Sequence, residues 1–307
     1  MRNSTKPRLW RPRYWPSWVA LFCLRCASFL PLPVLWLLGG GLGQTLYYLH
    51  RERRGIVSLN IKNCFPQWNA REQRRLIKRH FRALGQGLFD TTLVWWASEQ
   101  RLQRLIRFVG RAHYDDALAQ GRKIILLAPH FVTLEMAGVY LSRERPVVSV
   151  YRKAKNPLFE FVFRRSRIRF GTQIVERSEG LRPVIQAINR GMVFYYLPDQ
   201  DPGPRNTVFV PFFGVPAATL TALGRLAKLT GSIVIPCFTR QLPYGQGYEI
   251  IFKSPLANFP SDDLTRDAER MNQEIEKGVL EMPEQYFWVH KRFKTRPAGE
   301  AGFYAKT

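Results

Sequence analysis

The chain has 307 residues, with 47 Lys and Arg against 23 Asp and Glu, a formal net charge of +24, 46% hydrophobic residues and 13% aromatic residues. That apolar and aromatic content excludes a disordered polycation, which lacks the surface to offset its ordering entropy. What remains is a folded basic protein with a polyanionic partner: nucleic acid, an anionic membrane surface, phosphorylated ligands or an acidic protein.

Residues 1–58 carry Arg2, Lys6, Arg8, Arg11, Arg13, Arg25, Arg51, Arg53 and Arg54 against Glu52, leaving +8 there and +16 in the remainder. Between these charges, Cys26 to Leu49 is a run of 24 residues without a formal charge. As continuous helix it would extend about 36 Å, enough for a bilayer. Pro31, Pro33 and Gly39-Gly40-Gly41 oppose an unbroken helix, and Arg25 cuts short the apolar run before it. Trp10, Tyr14, Trp15 and Trp18, mixed with Arg11 and Arg13, resemble an interfacial belt. The expectation is a hydrophobic membrane-anchoring helical region over 1–58, spanning or re-entrant; a buried helical hairpin and a cleaved signal peptide are the other readings, the latter without a small-x-small cleavage site after the apolar core. Cys23 and Cys26 form a C-x-x-C without a second Cys or His pair nearby, so zinc or redox chemistry is not expected.

Asn69 followed by Glu72 reads as a capping box, opening a helix whose apolar positions include Leu76, Phe81, Leu84 and Leu88. From Lys123 onward strands and helices alternate. Apolar runs at 124–128, 146–151, 192–197 and 232–238 are separated by amphipathic segments at 133–141, 157–170, 181–189 and 219–229. Tyr248–Phe252 follows a turn at 243–247 and is expected to pair antiparallel with the strand before it. Helix-length connections between buried strands predict an α/β domain over 59–307, with a largely parallel sheet and helices on both faces.

Ligands in such sheets bind at the carboxyl ends of the strands. His130 is the first ionisable side chain after the apolar run 124–128, with Glu135 five residues later. Within one helix five residues is about 500°, so the two side chains would diverge by roughly 140° and meet only across a strand-to-helix turn. There the carboxylate would fix the tautomer of a histidine base. A helix-capping His130 beside a Glu135 in a surface ion pair is the alternative. No G-x-S-x-G elbow supplies a nucleophilic serine.

The motif His130-x-x-x-x-Glu135 resembles the His-x(4)-Asp/Glu signature of the glycerolipid acyltransferase superfamily. Longer segments narrow the resemblance: Arg11-Pro-Arg-Tyr-Trp15, Tyr151-Arg152, Asn156-Pro157, Pro198-Asp-Gln-Asp201, Gly203-Pro-Arg205, Val208-Phe-Val-Pro211 and the block from Pro283 to Pro297. Together, from about residue 11 to 297, they are similar to the bacterial lipid A late acyltransferases of the HtrB/MsbB type. The resemblance implies a glycerolipid-acyltransferase-like fold. It also implies transfer of a lauroyl or myristoyl chain from acyl carrier protein to the 3-hydroxyl of a hydroxyacyl chain on a Kdo-bearing lipid A precursor. The site would lie on the cytoplasmic side of the bacterial inner membrane. No cofactor and no nucleic-acid partner are expected, acylated acyl carrier protein serving as co-substrate.

An acyl thioester is already activated, so such an enzyme needs a base for the acceptor hydroxyl and a positive group for the oxyanion. His130 is the expected base and Glu135 its orienting carboxylate. From the resemblance, Arg167 joins them, with Arg169 the near alternative. The basic run after Tyr151, Arg152 included, is assigned to headgroup phosphates or the carrier. Asp199, Asp201 and Arg205 are expected to shape the acceptor site. Two aspartates replace the superfamily's glutamate there, and no His or third carboxylate lies near enough in sequence for a metal. Lys291 and Arg292, in an aromatic and basic block, are assigned to the phosphorylated glycolipid. A different lipid acceptor, lysophospholipid or ornithine lipid, is the second enzymatic reading. A non-catalytic membrane- or polyanion-binding protein is the third.

Overall fold

In the computed structural model, which describes residues 9–304, the apolar N-terminal stretch folds as two helices, α1 (Trp15–Ala27) and α2 (Leu32–Leu49). Of the cations in 1–58, Arg2, Lys6 and Arg8 lie outside the described residues.

Among the described residues no helix is long and apolar enough to cross a membrane, which corrects the expectation of a membrane-anchoring region at the N-terminus. The uncharged run is interrupted at 28–31, and the 18 residues of α2 reach about 27 Å, short of a hydrocarbon core of about 30 Å. Pro33 falls in the first turn of α2, where a missing N–H costs nothing. The glycines do not break the helix either. They let it approach α4 (Ala70–Trp96) at backbone contact: a Cβ on Gly43 would lie 2.0 Å from the Phe81 carbonyl oxygen, and one on Gly85 would lie 2.2 Å from that of Gly39. Leu32 and Leu35 are buried, while Phe22, Phe29, Leu37 and Leu49 remain on the surface.

Between these two helices in sequence lies α3 (Arg51–Cys64). The capping box of α4 forms as its sequence dictates: Asn69 Oδ1 accepts from the backbone N–H groups of Arg71 and Glu72, each at 3.0 Å, and Glu72 Oε2 accepts from the Asn69 N–H at 2.9 Å. The chain continues through α5 (Glu99–Leu105), β1 (Ile106–Val109), α6 (Ala112–Ala119), β2 (Ile124–Leu127), α7 (Leu134–Glu144), β3 (Val147–Tyr151) and α8 (Pro157–Arg167). It then forms β4 (Gln173–Glu176), α9 (Arg182–Asn189), β5 (Val193–Tyr196), a hairpin of β6 (Thr207–Phe212) and β7 (Val215–Leu220), and α10 (Ala222–Thr230). Strands β8 (Ile233–Gln241) and β9 (Tyr248–Phe252) and helix α11 (Leu264–Glu281) follow.

Seven strands form the main sheet in the order β1-β9-β8-β2-β5-β3-β4. Neighbours are parallel except β8 and β9, which pair antiparallel. The α/β architecture with a mostly parallel sheet therefore agrees with the sequence pattern. Strand β2 is central and buried at every position, so its residues divide between two cores. Ile125 and Leu127 face one, with Phe194 and the helices α9, α10 and α11; Ile124 and Leu126 face the other, with α7 and the C-terminal half of α4. Burying each such side chain contributes about 1.5–3 kcal/mol.

Where structure and sequence pattern differ, local geometry gives the reason. The segment at 219–229 begins as strand, because Thr219 and Leu220 close the β6–β7 hairpin opposite Val208 and Thr207. The edge strands β1 and β4 are only four residues each, too short for a periodic signal.

Candidate active site

Strands β2 and β5 run parallel and adjacent, with Leu127 opposite Tyr196. Three residues beyond each of these lie His130 and Asp199, after the same turn: Ala128-Pro129-His130 on one strand, Leu197-Pro198-Asp199 on the other. Because the two chains leave the sheet in register, the side chains converge. The His130 Nδ1–H donates to Asp199 Oδ1 at 2.6 Å, and the His130 backbone N–H donates to Asp199 Oδ2 at 2.9 Å. The Asp199 side chain is only 2% exposed. Burial alone would raise its pKa, but the charge and hydrogen bonds of His130 outweigh that and hold it below the usual carboxylate range. A buried carboxylate on Nδ1 places the free lone pair on Nε2, the arrangement of a histidine base.

The carboxylate assigned to His130 from the motif spacing is engaged elsewhere. Glu135 lies in the first turn of α7 and forms a two-pronged ion pair with Arg167, the last residue of α8; one prong, Arg167 Nε to Glu135 Oε2, is 3.1 Å. Glu135 raises the guanidinium pKa further, against the opposing effect of burial. The Arg167 head lies 6.0 Å from the Tyr151 ring centroid and 5.8 Å from that of Phe163. Arg169, two residues on, is exposed and stacks on Phe170. The structure therefore brings together two pairs, His130 with Asp199 and Glu135 with Arg167. The pairing His130 with Glu135, expected from the motif, is not the one formed. The second pairing is understandable: α7 begins at Leu134, so Glu135 points from a helix that has already turned away from the end of β2.

The C-terminal block braces the His130 loop from the other side. Phe131 and Tyr286 form an antiparallel bridge. The Phe287 N–H donates to the His130 carbonyl oxygen and the Val132 N–H to that of Gln285, each at 2.9 Å. Asp201 accepts from the Thr295 backbone N–H at 2.7 Å and its hydroxyl at 2.8 Å, and its own N–H donates to His290 Nε2 at 2.9 Å. His290 is thus held neutral, and burial pushes its pKa down to about 4. His130, Asp199, His290, Asn60, Tyr286 and Arg292 line one small cavity.

The other predicted binding residues are spread out. The buried guanidinium of Arg292 donates to the Ala218 carbonyl oxygen at 2.6 Å and to Thr219 Oγ1 at 3.0 Å, tying the block to β7. Lys291 Nζ lies 3.5 Å from Glu52 and over the Tyr304 ring. Arg152 and Arg205 are exposed. Among the described residues no cluster of three or more His, Cys, Asp and Glu groups could hold a metal ion. The residue whose position the sequence assignment missed is Asp199, placed there at the acceptor. Its signal was available in the repeated Pro-polar step at the ends of two buried strands.

A histidine held by a buried carboxylate at the ends of parallel strands, with the separate charged pair of Glu135 and Arg167 on α7 and α8, is an arrangement suited to taking a proton from an acceptor group. Comparison with known proteins specifies the group. Residues 2–295 match the family described as bacterial lipid A biosynthesis acyltransferase, and the chain belongs to that family. It is 38% identical over 292 residues to the lipid A biosynthesis lauroyltransferase of Escherichia coli K12, covering 95% of both chains. It is 34% identical to the palmitoleoyltransferase of the same organism over 95% of both chains, and 30% identical to its myristoyltransferase over 94% of this chain and 90% of that one. The protein is an O-acyltransferase of lipid A biosynthesis, and the non-catalytic polyanion-binding reading falls away.

Proposed function

We propose that the protein moves a lauroyl or myristoyl chain from acyl carrier protein to the 3-hydroxyl of a hydroxyacyl chain on a Kdo-bearing lipid A precursor, at the cytoplasmic side of the bacterial inner membrane. His130 Nε2 accepts the proton of the acceptor hydroxyl as its oxygen attacks the thioester carbonyl. Asp199 holds the tautomer and stabilises the imidazolium that results. The tetrahedral intermediate collapses with cleavage of the C–S bond, and the departing thiolate takes the proton back from His130. Arg167, kept charged and oriented by Glu135, supplies the positive group for the oxyanion or for a phosphate of the glycolipid. No acyl-enzyme forms on this route. No cofactor takes part, the acylated carrier being a co-substrate.

The observation that carries this reading is the 2.6 Å contact between His130 and the buried Asp199. Acyl length rests on the names of the relatives, among which a lauroyltransferase has the higher identity at 38% and a myristoyltransferase the lower at 30%. The inner-membrane location follows from the acceptor, a lipid with phosphates that suit a chain of net charge +24.

Mass spectrometry of lipid A from cells lacking the protein tests the proposal. One secondary acyl chain disappears and returns on complementation with the wild type, but not with His130→Ala. An unchanged lipid A profile, or a covalent acyl group trapped on any Cys or Ser of the chain, would overturn it.

A further inference from the structure

Helix α4 carries its cations on one side. Arg71, Arg74, Arg75, Lys78, Arg79 and Arg82 are all exposed, while Leu76, Ile77, His80 and Phe81 between them are buried. Steps of three and four residues place the six cations in one stripe about 16 Å long. Among the described residues, the carboxylate paired with the stripe is Glu284, 3.0 Å from Arg79. Lys78 and Arg82 lie over the rings of Tyr47 and Trp36.

This arrangement is unfavourable for the free protein in two ways. Like charges three and four residues apart repel along the whole stripe. Arg71, Arg74 and Arg75 also crowd the positive end of the helix dipole, where anions are preferred and Glu72 is the one acidic residue of the first turn. An anionic partner relieves both. The stripe is joined to the site: Arg75 and Arg79 border a groove with Glu72, Pro283 and Glu284, and Gln285 and Phe287, just beyond it, hold Val132 and His130 by backbone hydrogen bonds. Between the cations themselves, from residue 70 to 87, the helix exposes no large apolar side chain; the exposed apolar side chains of this region, Leu88 at the far end of the stripe and Leu37, Leu38, Tyr48 and Leu49 on α2, lie outside it. A surface that inserts into a lipid interface needs such side chains between its cations, whereas a soluble acidic protein does not.

We propose that the Arg71–Arg82 stripe of α4 is the docking surface for an acidic carrier protein that brings the acyl thioester to His130. The proposal rests on the carrier-protein donor proposed above.

The test uses the full-length enzyme with two donors, acylated acyl carrier protein and the neutral acyl-pantetheine thioester, and two variants. One reverses charge (Arg74→Glu, Arg75→Glu, Lys78→Glu) and one neutralises it (Gln at the same three positions). The expected result is a rise of at least about tenfold in KM for the carrier-bound donor with the reversed variant, and a smaller rise with the neutral one. Rates with acyl-pantetheine stay unchanged. Equal losses with both donors, or an unchanged KM for the carrier, would overturn the proposal. So would loss of sedimentation with anionic phosphatidylglycerol vesicles alongside an unchanged carrier KM, which assigns the stripe to a lipid surface. A wild-type enzyme that uses acyl-pantetheine but not the acylated carrier refutes the donor reading itself, and that outcome is read without any variant.

Discussion

Two carboxylates are in question at His130, one five residues away in the chain and one 69 residues away, and the distant one holds it. Asp199→Asn keeps the volume but presents an amide that favours the wrong ring tautomer. We expect kcat to fall by about 100-fold or more with KM little changed, measured by steady-state acyl transfer. The two pairs divide into separate units. A double-mutant cycle between Glu135 and Arg167 is therefore expected to be strongly non-additive, since either change alone dissolves the pair. One between Glu135 and Asp199 is expected to be close to additive. If Glu135 and Asp199 instead couple strongly, His130 is shared between them and the division fails. Arg167→Lys loses the planar fork that meets Glu135 by two prongs, so lysine there does not restore wild-type rates.

The elements owe their placement to backbone approach as much as to side-chain burial. Gly43 on α2 and Gly85 on α4 meet where a methyl group would overlap main-chain atoms. Gly43→Ala is expected to lower stability by about 1–3 kcal/mol, read from urea unfolding. An unchanged midpoint would mean that α2 is free to shift away from α4. Asn69→Ala removes the side-chain oxygen that caps α4 and is expected to cost about 1 kcal/mol. That capping box was legible in the sequence because all its partners lie within four residues. The role of the glycine run was not, since whether glycine breaks a helix or admits another depends on a partner helix far along the chain, here Phe81 to Gln86 of α4.

At the scale of the whole molecule, His80, His290 and Asp90 are among the described groups that shape the response to pH. Burial pushes both His80 and His290 down to about 4, and pushes Asp90 up to about 7 against the hydrogen bonds it accepts from Tyr248 and Gln241. Unfolding returns the histidines to about 6.5 and Asp90 to about 3.8. Between pH 4 and 6.5 the unfolded chain binds protons at the two histidines that the folded chain does not, so their contribution to stability is lost as pH falls through that interval. Asp90 acts in the opposite sense. The folded chain keeps a proton there that the unfolded chain has released, so its contribution fades as pH rises from about 4 to about 7. Denaturation of Asp90→Asn against wild type is therefore expected to show a relative gain that grows over that interval and levels off above it. A difference independent of pH would show that Asp90 stays ionised in the fold.

Read without any partner information, the sequence determined those features whose physics is local or repeated. Strand–helix alternation defined the α/β class, the end of a buried strand located His130, and the long motif blocks placed the chain in its family. The tertiary structure decided what depends on neighbours far along the chain. The parallel pairing of β2 with β5, Leu127 opposite Tyr196, delivers Asp199 to His130. The turn into α7 carries Glu135 away to Arg167. Strand order in a sheet leaves no periodic trace in its central strands, because β2 and β5 are buried on both faces and read as the same apolar run whichever neighbour they take.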